Sequence, residues 1–166
     1  MPGRGFTLIE VILVVFIIGI AAAVVVPTMS SGASMQLRAA ANMVAADLEY
    51  AKSMAISRGQ AYTVDFSPST ERYWVLDGPS GNVVPHPVKK GFDYMVDFPN
   101  EGRLSQVQVV STNLGTYNKV TFDYLGSPYN SSGAPLNSPG TIILQAGGIT
   151  KTVTIEAVTG FISVSN

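Results

Sequence analysis

The chain has 166 residues, with ten Lys and Arg against eleven Asp and Glu, and a formal charge of −1. A balance this close to neutral excludes a strong general attraction for nucleic acid or acidic lipid. The absence of Cys excludes disulfides and thiolate metal sites, and the single histidine, His86, argues against a His-based triad or a His cluster for metal.

The first element is a long apolar segment behind a short basic leader. Every residue from 11 to 26 is Val, Ile, Leu, Phe, Ala or Gly. A membrane-spanning helix needs about 20 mostly apolar residues, so residues 6–27 are predicted to form a transmembrane helix. Arg4 precedes this segment, which predicts a cytoplasmic amino terminus. A plain membrane anchor or an uncleaved signal is the alternative interpretation.

Two residues interrupt the apolar segment. A carboxylate inside a bilayer costs a few kcal/mol and usually has a function or a partner. Glu10 therefore either lies near enough to the interface to reach water or awaits a positive partner on another chain. Pro27 lacks a backbone donor and predicts one bent helix, and the weak helix formers between Pro27 and Ser34 leave room for a local break there. The alternative is that Pro27 ends a membrane helix near the interface.

The sequence Gly-Phe-Thr-Leu-Ile-Glu at residues 5–10 resembles the amino terminus of the type IV pilin and pseudopilin superfamily. The resemblance implies that residues 1–5 are a leader, which a prepilin peptidase removes between Gly5 and Phe6. It also implies that Phe6 is N-methylated. Glu10 is the fifth residue after that cleavage point, and the resemblance implies that it pairs with the amine of a neighbouring subunit's first residue during assembly.

A second helical pattern covers residues of about 35–58. Apolar residues recur at alternating steps of four and three and predict one buried stripe: Leu37, Ala41, Val44, Leu48, Ala51 and Ala55. Asp47 and Glu49 fall off this stripe and are expected to face outward. Arg58-Gly59 is a typical helix end, with a cation in the last turn and Gly at the cap.

From residue 60 onward, alternating apolar and polar residues predict β-strands separated by turns. The strand candidates are 61–66, 72–76, 92–98, 104–110, 120–125, 141–145, 151–157 and 161–164. Gly147-Gly148 predicts a hairpin, and 77–87 and 126–140 are predicted loops. The expected fold class is α+β: a long N-terminal helix, transmembrane in its first half, packed on an antiparallel β-sheet. Residues 28–166 would form the soluble, pilin-like domain.

Within the superfamily, the body of the chain is most similar to the GspH/FimT minor-pilin branch. Residues 45–59 resemble the end of that family's helix, and residues 120–126 and 153–164 resemble its later strands. The family often has Gly-Arg in its last turn, where this chain has Gly160-Phe161.

The resemblance implies a minor pilin or pseudopilin that assembles into a periplasmic filament of a type II secretion system. Its implied partners are the prepilin peptidase, other pilin or pseudopilin subunits, the inner-membrane assembly platform and secreted proteins. It would be a single-pass inner-membrane protein with a periplasmic C-terminal domain, later extracted into the filament. A FimT-like minor pilin of a type IV pilus or competence system, contacting DNA, is the alternative, although the chain lacks a strong basic run for nucleic acid.

A membrane-anchored enzyme is the alternative of another class. It would require several acidic side chains to converge in a pocket, which sequence spacing does not indicate. We therefore predict no catalytic residues, no cofactor and no metal. The resemblance leaves one alternative for the stability of the β-domain, which is calcium in addition to packing, as in some relatives of pseudopilins.

Overall fold

The computed structural model describes residues 7–78, 80–115 and 117–165, without the side chains of residues 23–31. Its first element is a helix of 51 residues, Leu8–Arg58 (α1), which is about 75 Å long at 1.5 Å per residue. Gly59 ends it in the left-handed conformation, with φ 66°, so the predicted stop at Arg58-Gly59 is confirmed. The helix is continuous through Pro27, and no local break interrupts it before Ser34. The bend at Pro27 stays a prediction.

The second half of α1 buries the predicted stripe. Its six members are completely shielded from solvent, which confirms the assigned helix face. Ala33 and Ala40 are buried beside them. The small side chains let the helix axis approach the sheets closely, and the larger Leu and Val side chains fill the space between the layers.

Nine strands follow in the described part of the chain. They are Tyr62–Ser67 (β1), Arg72–Asp77 (β2), Met95–Asp97 (β3), Gln108–Asn113 (β4), Lys119–Phe122 (β5), Pro128–Tyr129 (β6), Gly140–Ala146 (β7), Ile149–Ile155 (β8) and Ile162–Ser165 (β9). All pairs are antiparallel. One sheet has the order β3-β2-β1-β5-β6 and the other has the order β4-β7-β8-β9. Helix α1 contacts both sheets and closes one core with them.

The hairpin predictions are confirmed. Strands β1 and β2 pair along their whole length, from Tyr62 opposite Asp77 to Ser67 opposite Arg72. Gly147 and Gly148 form the two-residue connection between β7 and β8, with φ 56° and 79°. Positive φ at both positions is what a tight hairpin turn of this kind requires.

Other strand boundaries and one loop were predicted wrongly. The pattern over 92–98 yields only the short strand β3, followed by a 3-10 helix at Phe98–Asn100. Strand β4 begins at Gln108, and the residues before it form turns that still bury Leu104 and Val107. The segment 126–140 is not simply an exposed loop, because it contains β6 and buries Leu136.

No helix in the described part of the chain has the length and hydropathy needed to cross a membrane.

Candidate assembly and recognition sites

The amino-terminal end of α1 carries the residue predicted to act in assembly. Thr7 caps the helix in an extended conformation, and its hydroxyl accepts a hydrogen bond from the Glu10 backbone N–H at 3.4 Å. Glu10 lies exposed in the first turn. A Thr followed three residues later by Glu matches the sequence pattern of a capping box, and a carboxylate is favourable near the positive end of the helix dipole. Gly5 and Phe6 lie outside the described residues, so the predicted cleavage and methylation positions have no structural account.

The first turns of α1 present apolar side chains to the outside on every face. Eleven large ones are exposed: Leu8, Ile9, Val11, Ile12, Leu13, Val14, Val15, Phe16, Ile17, Ile18 and Ile20. A helix that is hydrophobic all round belongs inside a larger assembly or in lipid. Exposed apolar surface of this extent indicates an interaction site.

The β-domain holds the second half of α1 at two places. At the tip of the β7–β8 hairpin, a Cβ on Gly147 would lie 2.7 Å from Ala33 Cβ, so only Gly fits there. Near the C-terminal end of the helix, Lys52 Nζ donates to the Gly160 carbonyl at 2.9 Å. These contacts fix the direction in which α1 leaves the domain, and therefore where its apolar first half points.

A carboxylate of α1 is enclosed by the β-domain, contrary to the expectation that Asp47 faces solvent. Tyr73 donates its hydroxyl to Asp47 Oδ2 at 2.6 Å, and Tyr94 donates to Oδ1 at 2.7 Å. Desolvation raises the pKa of Asp47, opposed by these two hydrogen bonds and by the nearby charge of His86. Burial also raises the pKa of Tyr73 well above its ordinary value, with Asp47 adding to the effect. Asp47 thus joins α1, β2 and the segment before β3.

Two adjacent cavities open beside this cluster. Each has a volume of about 380 Å³, and they share four lining residues, namely His86, Lys89, Met95 and Glu101. One reaches inward to Asp47 and Tyr94, and the other outward to Phe92, Asp93 and Asp97. We call the two cavities together the Asp47 groove.

The wall of the groove is an irregular hairpin between β2 and β3. His86 N–H donates to the Phe92 carbonyl and Tyr94 N–H donates to the Val84 carbonyl, at 2.8 and 2.7 Å. The His86 ring lies 4.6 Å from the Tyr94 ring, and its Nδ1 accepts the backbone N–H groups of Val88 and Lys89. These bonds hold the wall against the Tyr94 side chain that reaches Asp47.

Charge in the groove is unevenly compensated. Lys89 pairs with Glu101 and Arg72 pairs with Asp97, both at 2.8 Å. Asp47 has no ion pair among the described residues, and neither has Asp93, which is exposed. Four carboxylates therefore line the groove, and two of them, Asp47 and Asp93, form no ion pair among the described residues.

The groove has no signature in the local sequence pattern. The alternation from Phe92 to Phe98 suggested one continuous face, but Tyr94, Val96 and Phe98 are buried while Phe92 is 68% exposed. The proline-rich segment before it had no strand or helix pattern that could place His86 or Val88. Within the described ranges, no three His, Cys, Asp or Glu side chains form a group suited to a metal ion.

The sequence matches two known families. The family described as type II transport protein GspH matches residues 40–159. The chain belongs to the GspH family. The prokaryotic N-terminal methylation motif matches residues 3–26, which include Gly5, Phe6 and Glu10. No curated protein sequence is significantly similar to the chain.

Solved structures of pilin-like proteins share the fold. The minor pseudopilin EpsH from the type 2 secretion system of Vibrio cholerae superposes with a TM-score of 0.56 at 15% identity, covering 78% of this chain and 96% of EpsH. The type IV minor pilin FimU of Pseudomonas aeruginosa gives a TM-score of 0.54 at 17% identity, covering 80% of this chain and 90% of FimU. The α+β pilin-like fold class predicted from the sequence is therefore confirmed, as is the GspH branch of the superfamily.

Proposed function

We propose that this member of the GspH family is a minor pseudopilin, a subunit of the periplasmic filament of a type II secretion system. The observation that carries the proposal is the family match over residues 40–159, joined in one chain to the methylation motif at residues 3–26. The exposed apolar first half of α1 supports it, because such a helix needs neighbouring helices or lipid around it. The work of the protein is assembly and recognition rather than catalysis.

In this proposal the chain lies first in the inner membrane and later in the filament. Residues 6–27 span the inner membrane once, with the amino terminus cytoplasmic and the β-domain periplasmic. Prepilin peptidase removes residues 1–5, Phe6 is methylated, and the assembly platform extracts the subunit into the filament. The partners in the filament are other pseudopilins, and secreted proteins contact the exposed β-domain.

The Thr7 cap uses the backbone N–H of residue 10, so it survives any side-chain substitution of Glu10. An ion pair with a neighbour's amine requires the carboxylate charge. Glu10→Gln keeps a polar side chain of the same size and removes the charge, while Glu10→Val removes both the charge and the polarity. If pairing is the role, both variants should be inserted and processed normally and both should be lost from filaments.

Crosslinking of the variants to other pseudopilins in purified filaments measures their incorporation. Thr7→Ser, which retains a hydroxyl cap, is the matched control and should incorporate normally. Normal incorporation of Glu10→Gln would contradict the intersubunit pairing.

A second candidate function is a minor pilin of a type IV pilus or competence system. The observation that favours it is the likeness to FimU, whose TM-score is within 0.02 of that to EpsH. Phe161 stands where relatives often carry Arg, which leaves the DNA-contacting version without that cation. Deleting the gene separates the candidates: loss of protein secretion with intact piliation and transformation supports the pseudopilin, and the reverse supports the pilin.

A further inference from the structure

We propose that the Asp47 groove is a docking site for a partner protein's segment that carries an arginine or lysine beside an apolar side chain. The inference rests on the proposed function, because it assigns a recognition surface to the domain that the filament would display.

The inner part of the groove supplies a carboxylate, Asp47, that forms no ion pair among the described residues, with His86 as the nearby charge that favours its ionised form. Asp47 accepts one hydrogen bond on each oxygen from a tyrosine, yet a carboxylate has about four lone-pair sites. Both donors are neutral hydroxyls, and no described cation forms an ion pair with it. Removing a charge from water is unfavourable unless it is paired. The adjoining cavity of about 380 Å³ has room for a guanidinium or ammonium group.

The outer part supplies a second carboxylate and apolar surface. Asp93 is exposed, without a side-chain hydrogen bond or ion pair in the described structure. Phe92, 68% exposed, and Met95, 39% exposed, line the same outer cavity, and Val88, 82% exposed, lines the inner one. Large apolar side chains next to an unpaired charge form a surface that an apolar, cationic segment matches in both respects.

Charge complementarity specifies the occupant. The lining holds four carboxylates and one lysine, so its net charge is negative even though the whole chain is nearly neutral. Lys89 and Arg72 already neutralise Glu101 and Asp97. What remains is one inner and one outer carboxylate, and a basic side chain entering the groove would pair with them. The exposed aromatic ring of Phe92 is suited to a guanidinium.

The test uses the full-length protein in cells that express the complete filament machinery. Phe92 is replaced by the photocrosslinking residue p-benzoylphenylalanine, and crosslinked peptides are mapped by mass spectrometry. The expected product joins Phe92's position to a partner segment with Arg or Lys within a few residues and an apolar neighbour. The same replacement at Val110, an exposed apolar residue on β4, should not give this product.

Carboxylate variants test the charge directly. Asp93→Asn should lower the crosslink yield about two- to fivefold, the loss expected for one ion pair at an exposed site. Asp47→Asn should do the same while preserving an acceptor for a tyrosine, and Glu49→Gln on the exposed face of α1 should have no effect. Asp93 has no partner whose loss could unfold the domain, so its result counts even if Asp47→Asn folds poorly.

An unchanged yield in Asp93→Asn would overturn the proposal. So would a crosslink only to lipid, or to segments without a basic residue. Processing between Gly5 and Phe6 and incorporation into filaments are measured in the same cells. If these fail in the unsubstituted chain, the pseudopilin role is wrong. If they persist while the groove variants leave the crosslink intact, only the docking site is wrong.

Discussion

Asp47 shows how a residue on the polar side of a helical pattern becomes part of the interior. Its side chain lies off the buried stripe, but Tyr73 and Tyr94 reach it from β2 and from the segment before β3. Both tyrosines are largely buried, and their hydroxyls need an acceptor there. The carboxylate supplies it, and the helix and the sheet are tied together as a result.

Replacing Asp47 by Ala should therefore destabilise the protein. The substitution leaves two tyrosine hydroxyls without their acceptor, and an unsatisfied buried group costs about 1–3 kcal/mol. Urea unfolding should show a loss in that range. Glu49→Ala, two residues along the same helix and exposed, is the control and should stay within about 0.5 kcal/mol of the unsubstituted protein. Equal effects of the two substitutions would disprove the role of Asp47.

The raised pKa of Asp47 predicts that its contribution to the stability of the protein decreases as the pH rises. Because the pKa of Asp47 is higher in the folded protein, the folded state binds this proton more strongly than the unfolded chain does. The stabilisation from this proton is fully present below the ordinary pKa of an aspartate. It is lost as the pH rises through the higher pKa that Asp47 has in the folded protein. Measured from about pH 3 to 7, the unfolding free energy of the unsubstituted protein minus that of Asp47→Asn should fall. A difference that is flat or rises would contradict the burial of this carboxyl.

Sequence pattern predicts some residues well and others poorly for a physical reason. The helix stripe from Leu37 to Ala55 was correct because a 3.6-residue repeat fixes which side chains share a face. Asp47 and Phe92 were misplaced because their environments depend on a segment without regular structure. Such a segment is positioned by tertiary contacts, here between Tyr94, His86 and the helix.

Among the elements of the fold, α1 has two halves whose side chains lie in different surroundings. Its first half exposes apolar side chains all round, and its second half buries a single stripe against both sheets. The β-domain contacts the second half of the helix at Ala33, through Gly147, and at Lys52, through the Gly160 carbonyl. The apolar half thus extends from a folded body whose orientation is set by those contacts.

Leu48→Ala tests the packing of α1 on the sheets. Leu48 is completely buried in the core that contains Val64 and Phe122. Truncating such a leucine costs about 2 to 5 kcal/mol, a large part of a small domain's stability. The melting temperature should fall sharply, whereas Ser53→Ala on the exposed face should leave it nearly unchanged. A silent Leu48→Ala would mean that the helix face is assigned wrongly.

The ends of the elements were harder to predict than their existence. The β1–β2 and β7–β8 hairpins followed from alternation and turn residues, both of which are local signals. Strand β4 started later than its apolar pattern, because Leu104 and Val107 are buried from turns rather than from a strand. An apolar residue that is buried from a turn has the same sequence character as one buried from a strand. The pattern therefore predicted that Leu104 and Val107 belong to the strand. The division into two sheets depends on long-range pairing that no local pattern contains.

The whole molecule divides into a folded domain and a helix half with exposed apolar side chains. Residues 28–166 contain every buried residue of the described core. A fragment that starts at Thr28 should therefore be soluble, monomeric and cooperatively folded, with a single urea transition. Association of this fragment into filaments without the apolar half of α1 would contradict the division of roles.

The most direct test of the pseudopilin assignment is the mass of the mature amino terminus. Intact and digested protein from membranes should begin at N-methylated Phe6, and replacing Gly5 with a bulky residue should leave the precursor uncut, because a side chain there obstructs the scissile bond. A mature chain that begins at Met1, or beyond Val26 so that the apolar helix is discarded, would contradict the assignment.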